Sequence, residues 1–233
     1  APLTAGKTVT VAAGTRAWVD IDMGELVNAY VALPLTAGEP GNRVTLEYAE
    51  GYETPDEQGV YRKRIRDDAE HGRIHGEKDV YITCRGSQVY EPFHFRVFRY
   101  LRLHIDAGVS DVTLAMPDFR LTGYPLEIQG RFHGENPAVE QMWNISLRTL
   151  RRCMLDTYVD CPYYEQMQYI MDTVIEALLT FQVSGDDRLV RRAIRDFHAT
   201  RRPDGMIQCN APAAFDQIIP VFALYYVDLL YYH

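Results

Sequence analysis

The sequence predicts a multidomain β + α chain, an antiparallel β-sandwich followed by paired helices, and three observations carry that prediction. Short alternating or β-branched runs separated by glycine-bearing turns fill the first part of the chain. After Gly123 the apolar residues recur at three and four positions, the rhythm of helices. Tyr124-Pro125 marks the change. The expected boundaries are residues 1–123 for the sandwich, 124–136 for a linker and 137–233 for helical hairpins.

Taken in order, the strands are expected from YVALPL at 30–35, VTLEYAE at 44–50, DVYITC at 79–84 and FRVFRYLRLHI at 95–105. In the last run Arg96, Arg99 and Arg102 interleave with apolar residues, which sends one face to solvent and the other into a core. The tract 54–78 is rich in charge and glycine with few apolar anchors, and reads as a long surface loop. Asn136-Pro137 supplies a cap and a first-turn residue for a helix to about Met154, with Val139, Met142, Trp143, Leu147, Leu150 and Met154 as its stripe. A second helix is expected from Pro162 to near Ser184-Gly185. Asp186 or Asp187 then caps a third, whose inner face holds Leu189, Ala193, Ile194 and Phe197. Pro203-Asp204-Gly205 is a turn. The last helix, over 216–232, is apolar nearly all round, as befits an inner helix in a toroid of paired helices.

Composition narrows the function classes. A formal net charge of −8 opposes a nucleic-acid partner, and the arginines at Arg148, Arg151 and Arg152 and at Arg188, Arg191, Arg192 and Arg195 fall at helical spacing, as solvated faces do. Cys84, Cys153, Cys161 and Cys209 are too scattered for a disulfide framework, and no CxxC pair suggests zinc. Cys161 lacks a local basic partner to activate it, so packing is its expected role. His71 and His75 are four apart, but Gly72 and Gly76 disfavour the helix that would bring them to one ion, and neither a metal nor a cofactor is expected. The start APLTAGKTV has no charged leader and apolar core, so no uncleaved signal peptide is expected; a soluble protein, cytoplasmic or secreted/periplasmic, fits either way. Residues 218–232 are apolar but interrupted by Pro220 and Asp228, and fall short of the ~20 residues of a membrane span.

The chemistry concentrates in DTYVDCPYYEQMQYIMD, residues 156–172. With a helix starting at Pro162, Glu165 lies in its first turn and Asp172 returns to the same face about 10 Å further along the axis, while Asp160 waits just outside. Tyr169, four residues after Glu165, adds a ring suited to the apolar face of a sugar. Met167, Ile170, Met171, Val174 and Leu178 line the opposite, packing side. Acids in a first turn also answer the helix dipole, and Asp160 is a cap in that simpler reading. The crowding of Tyr158, Tyr163, Tyr164 and Tyr169 favours a cleft instead.

The segment DTYVDCPYYEQMQYIMDT resembles the acid-bearing segment of the inverting α-L-rhamnosidases. GRFHGENPAVEQMWNISLRTLRRCMLDTYVD at 130–160 is similar to that family's entry into its helical domain, and FHFRVFRYLRLHID at 93–106 to the last strands of its preceding β-sandwich. The resemblance implies a sandwich followed by part of an (α/α)6 toroid, cleavage of terminal α-L-rhamnosyl residues, and a rhamnose-containing glycoside or polysaccharide as partner. It implies that Glu165 is the general acid and that Asp160 and Asp172 bind and orient sugar hydroxyls. Many members carry an arginine pair and a Gly-Trp where this chain has Tyr163, Tyr164, Gln166, Gln168 and Tyr169, and Met171 stands where glycine is common.

In that family the catalytic base is a glutamate further along the barrel, so this chain is expected to be an incomplete fragment, inactive alone. Asp172 is not expected to replace the base, because it and Glu165 would approach the sugar from one helix. Glu165 would need a dry pocket and the negative charge of Asp160 or Asp172 to hold its proton. With four helices of a larger ring present, self-association is expected through Ile218, Ile219, Phe222 and Leu229. The alternative function is a noncatalytic carbohydrate-binding module that grips sugar in the aromatic cleft.

Overall fold

From Val27 onward every second residue of one long strand is apolar and buried: Val27, Ala29, Val31, Leu33, Leu35 and Ala37 are at most 4% exposed. That alternation, repeated on its neighbours, builds the first of two compact units in the computed structural model, which describes residues 6–233 and divides between Thr122 and Gly123. The first five residues, on which the leader expectation partly falls, lie outside the described residues. The strands are β1 (Thr8–Val11), β2 (Thr15–Ala37), β3 (Arg43–Ala49), β4 (Tyr52–Pro55), β5 (Tyr61–Arg62), β6 (Arg73–Ile74), β7 (Glu77–Ile82), β8 (Gly86–Tyr90), β9 (Arg96–Ala107), β10 (Val112–Ala115) and β11 (Asp118–Leu121).

Among the described residues all neighbours in the main sheet pair antiparallel, in the order β1-β10-β2-β9-β3-β7, with β11 and β8 also on β2. The two ends of β2 belong to different layers. Its first part, from Thr15 to Ala29, pairs with β9, Ala29 to Ala32 pair with β11, and its last residues run between β8 and β10. A slip in register between Asp22 and Val27 bends the strand; Gly24 sits there at φ +78° and donates its N–H to Asp22 Oδ1 at 2.8 Å. Leu33, Leu46, Leu101, Leu103 and Phe98 fill the space between the layers. The expected two-faced β9 is present, and each of its arginines holds a carboxylate: Arg96 Asp79, Arg99 Asp22 and Arg102 Asp20.

The tract 54–78 is not one loop. It contributes to a small sheet of order β5-β4-β6, pinned where Tyr52 and Ile74, the apolar anchors of that tract and its flank, bury against Ala49 and Tyr100. The outward-facing first half of β2, with Trp18, Asp20 and Asp22, also escaped the sequence reading, because its exposed positions carry too little apolar alternation.

The second unit holds α1 (Pro137–Cys153), α2 (Ile170–Val183), α3 (Arg188–Ala199) and α4 (Pro220–Tyr232). Asn136 caps α1 as expected, its Oδ1 accepting the Ala138 N–H at 3.0 Å. Asp186 serves the start of α3: it accepts from the Arg188 N–H and side chain and from the Tyr124 hydroxyl. Gly205, at φ +86°, closes the expected turn. The last helix starts at Pro220 rather than 216, because Cys209 N–H bonds to Gln217 O and holds the preceding segment extended.

The core of this unit gathers Leu150, Met154, Tyr158, Ile170, Val174, Ala177, Val190 and Phe197. Leu229, expected on an uncovered face, is buried in that core. The uncovered side of α4 consists instead of Val221, Leu224, Val227 and Leu230, and that of α1 of Val139, Met142 and Ile145. No described helix is long and apolar enough to cross a membrane.

Candidate active site

The site is built where the chain leaves α1 and turns into α2. Val159 N–H returns to Cys153 O at 2.9 Å, and the Tyr158 hydroxyl reaches Thr180 Oγ1 at 2.8 Å inside the core. Tyr158 is therefore core, not cleft wall. The next residue but one, Asp160, closes a loop on itself: its N–H donates to Met167 O and its Oδ1 accepts the Met167 N–H, both at 2.9 Å. Within that loop Cys161 Sγ accepts the Glu165 N–H at 3.4 Å, and the Gln166 amide donates to Pro162 O at 2.7 Å.

The expected helix from Pro162 does not form. Pro162 opens a single turn that ends at Gln166, whose φ of +53° lies in the left-handed region and cannot continue a right-handed helix. The chain then runs extended through 168–170, paired with the 209–211 segment by Ala211 N–H to Gln168 O (3.1 Å) and Ile170 N–H to Cys209 O (2.9 Å). The second helix starts only at Ile170, with Tyr169 at its N-cap. Glu165 and Asp172 are consequently not on one helix, and the 10 Å axial separation expected of them has no basis. Of the expected packing stripe, Met167 lies before the helix and Met171 is exposed, whereas Ile170 and Val174 are buried as expected.

Of the four residues singled out, Asp160 and Asp172 are half-buried, Tyr169 is half-buried with its ring edge-on to Phe222 at 6.3 Å, and Glu165 is exposed. The dry pocket expected around Glu165 is absent from the described residues. Tyr163 and Tyr164 stand beside it, ring to ring at 4.9 Å and nearly perpendicular. The Tyr169 phenol is pushed up, first by burial and then by the Glu165 carboxylate, with Asn210 acting the other way. Asp172 is pushed up too: burial is the largest cause, backbone N–H at the helix start opposes it, and the charges of Asp160 and Glu165 add to it. Asp160 and Glu165 thus both act on Asp172.

Two groups that sequence reasoning passed over lie deeper. Glu176 is one helical turn beyond Asp172 on the same face of α2, and burial together with the charges of Asp172 and Asp160 raises it to about 9. Its Oε2 is fully enclosed without a hydrogen-bond partner. The i+4 spacing from Asp172 was the available signal, masked by the apolar run around it. Asn210 is fully buried, bridges by its backbone to Tyr169, and leaves its Oδ1 unpartnered. No local pattern announces it, since it arrives from far downstream in the chain. Cys153, at the end of α1, is raised to about 12 by burial first and then by Glu176 and its acidic neighbours, which makes it an inert thiol rather than a nucleophile. Among the described residues no group of three His, Cys, Asp or Glu side chains is placed to hold a metal ion.

In sequence order the chain joins an antiparallel β-sheet unit to a unit of four helices, with carboxylates and tyrosines where α1 passes into α2. Residues 127–223 match the family model of the bacterial alpha-L-rhamnosidase six-hairpin glycosidase domain. Among solved structures the chain is similar to a GH78 family rhamnosidase of Bacillus sp. GL1 (TM-score 0.79, 26% identity, covering 95% of this chain and 22% of that one). In fold it is also similar to a rhamnosidase from Klebsiella oxytoca with rhamnose bound (0.73, 19% identity, 96% of this chain and 44% of that one). The third is an alpha-L-rhamnosidase from Dictyoglumus thermophilum (0.66, 18% identity, 99% and 26%). The chain thus spans less than half the length of each. No curated protein sequence matches it.

Proposed function

We propose that this chain supplies the acid half of an inverting α-L-rhamnosidase site, acting on terminal α-L-rhamnosyl residues of a glycoside or polysaccharide. Glu165 gives its proton to the oxygen that leaves with the aglycone as the bond from that oxygen to the anomeric carbon breaks. Asp160 and Asp172 accept hydrogen bonds from sugar hydroxyls, and the Tyr169 ring receives an apolar face of the sugar. The observation that supports the reading is that the charges of both Asp160 and Glu165 reach Asp172 and help to push it up, although the two come from different parts of the turn.

Inversion also needs a carboxylate that takes a proton from water on the far side of the ring, with about 6.5–9.5 Å between the two carboxyl groups. Glu165, Asp160 and Asp172 all issue from the turn and the start of α2, hence from one side of a bound sugar. We assign the base to a part of the complete enzyme beyond this chain, and expect the 233-residue chain alone not to turn over substrate.

The test is Glu165→Gln in the complete enzyme, assayed on two rhamnosides that differ in leaving group. A proton donor is needed most when the leaving oxygen is basic. Turnover of an alkyl rhamnoside should fall by about 10²–10⁴-fold while that of a nitrophenyl rhamnoside falls far less. Equal losses on both would assign Glu165 a binding role, and no loss on either would overturn the reading.

A further inference from the structure

The first unit presents a second surface that the rhamnosidase reading leaves unused. On the outward face of the sheet Trp18 of β2 stands opposite His104 of β9, which stands opposite Thr45 of β3, which stands opposite Val80 of β7. The next row along is Arg16, Asp106, Arg43 and Ile82. Between these rows lies an open groove of about 590 Å³, walled by Trp18, Arg43, Lys78, His104 and the Arg16–Asp106 pair.

Trp18 is 62% exposed, yet it is held. The Arg102 guanidinium lies 4.3 Å from its ring centroid, and that guanidinium is itself fixed by two bonds to Asp20, at 2.6 and 2.7 Å. Asp20 also accepts the Tyr52 hydroxyl at 2.6 Å. One face of the indole therefore rests on a clamped plate, while the ring borders the groove. A large ring kept wet but rigid loses little entropy when something flat settles on it.

The charge of the groove is the second observation. Arg16 is paired with Asp106, and Lys78 and His104 share Glu47, a carboxylate only 4% exposed. Arg43, in the centre, has no ion pair among the described residues. Against a chain of net charge −8 this is a local cationic strip.

We propose that this groove binds an acidic saccharide, a uronate-containing oligosaccharide whose apolar ring face stacks on Trp18 and whose carboxylate pairs with Arg43. The aromatic plate selects a sugar ring, and the unpaired guanidinium selects the charged one. A long polyanion such as a nucleic acid is disfavoured by the acidic remainder of the chain. The site is independent of the role assigned to Glu165.

The chain has two tryptophans, Trp18 and Trp143, so Trp143→Phe leaves Trp18 as the sole emitter. That variant is titrated with a galacturonic acid trimer and with the neutral galactose trimer, and calorimetry repeats both titrations on the unaltered chain. A saturable change in Trp18 emission with the acidic trimer is expected, together with loss of binding in Trp18→Ala. Arg43→Gln should weaken binding about tenfold, the worth of one charge-assisted contact. Trp18 and Arg43 are exposed, and the circular dichroism of both variants should match the parent. Equal affinity for the two trimers, or binding unchanged by Trp18→Ala, overturns the proposal. So does no response to either trimer, and self-association that Trp18→Ala abolishes in that case would mark the face as a protein contact.

Discussion

Replacing Glu176 by Gln should abolish a fall in stability with pH that the unaltered protein shows between mildly acid and alkaline conditions. In the unfolded chain this carboxyl titrates at the ordinary value of 4.5, and in the fold at about 9. Between those values the folded state keeps a proton that the unfolded state has released. Stability therefore falls as pH rises, by about 1.4 kcal/mol per pH unit from this one group. From 4.5 to neutrality the loss is about 3 kcal/mol, and it levels off at about 6 kcal/mol above the folded value. Both are upper limits, because the residue keeps some exposure and water near its stem softens the cost of charging it. Asp172 is raised as well and adds a slope of the same sign, but it is present in both proteins and largely cancels in their difference. The Gln amide would occupy the same enclosed, unpartnered place as Oε2, a cost that does not vary with pH. Urea unfolding at pH 5, 6, 7 and 8, read from Trp143 in a Trp18→Phe background, reports the helical unit alone. The stability of Glu176→Gln relative to Glu176 should grow steadily with pH. Parallel curves would mean that Glu176 is already charged in the fold, and the burial argument would fail.

Two further outcomes follow from the packing of the second unit. Tyr158→Phe removes a fully buried hydroxyl that donates to Thr180, and should cost about 1–2 kcal/mol in the same unfolding assay; a cost near zero would mean that Thr180 is satisfied by Glu176 O, its other partner, alone. Leu224 and Val227 are 67% and 61% exposed on one side of α4, so the chain should self-associate and Leu224→Glu with Val227→Glu should return it toward monomer, as read by sedimentation; a monomeric parent would refute this.

The strands of the sandwich were legible wherever alternation was strong, as in β3 and β9, and the caps of α1 and the turn at Gly205 wherever a residue with one dominant local preference stood at the right place. The start of α2 was not legible. Pro162 favours a helix start, and nothing in the sequence says that Gln166 will adopt the left-handed region; that choice is imposed by the closure of Asp160 on Met167 and by the pairing of 168–170 with 209–211. Those are contacts of tertiary structure, which override propensity. For the same reason the acids and Tyr169 could be nominated from the motif, while Asn210 and the depth of Glu176 could not.

The misplaced helix start bears on the proposed mechanism. Had Glu165 occupied the first turn of α2, the helix dipole would have favoured its ionised form and opposed its use as a proton donor. Ending the turn at Gln166 and starting the helix at Ile170 gives that favourable end to Asp172 instead, where backbone N–H offsets part of the burial cost of its carboxylate. Glu176, neutral one turn deeper at working pH, adds no further negative charge against Asp172. The acids thereby differ in their surroundings: Glu176 raised to about 9 by burial, Asp172 half-buried and raised despite the backbone N–H at the helix start, and Glu165 exposed and away from any helix end. Under the proposed assignment Glu165 acts from an exposed turn, so water there must be excluded by whatever closes over it when sugar binds. Under this assignment, Asp160→Ala and Asp172→Ala should not act alike in turnover by the complete enzyme: Asp160 also closes the loop by accepting the Met167 N–H, and removing its oxygen should loosen the placement of Glu165 as well as the sugar contact, whereas equal losses would refute that role.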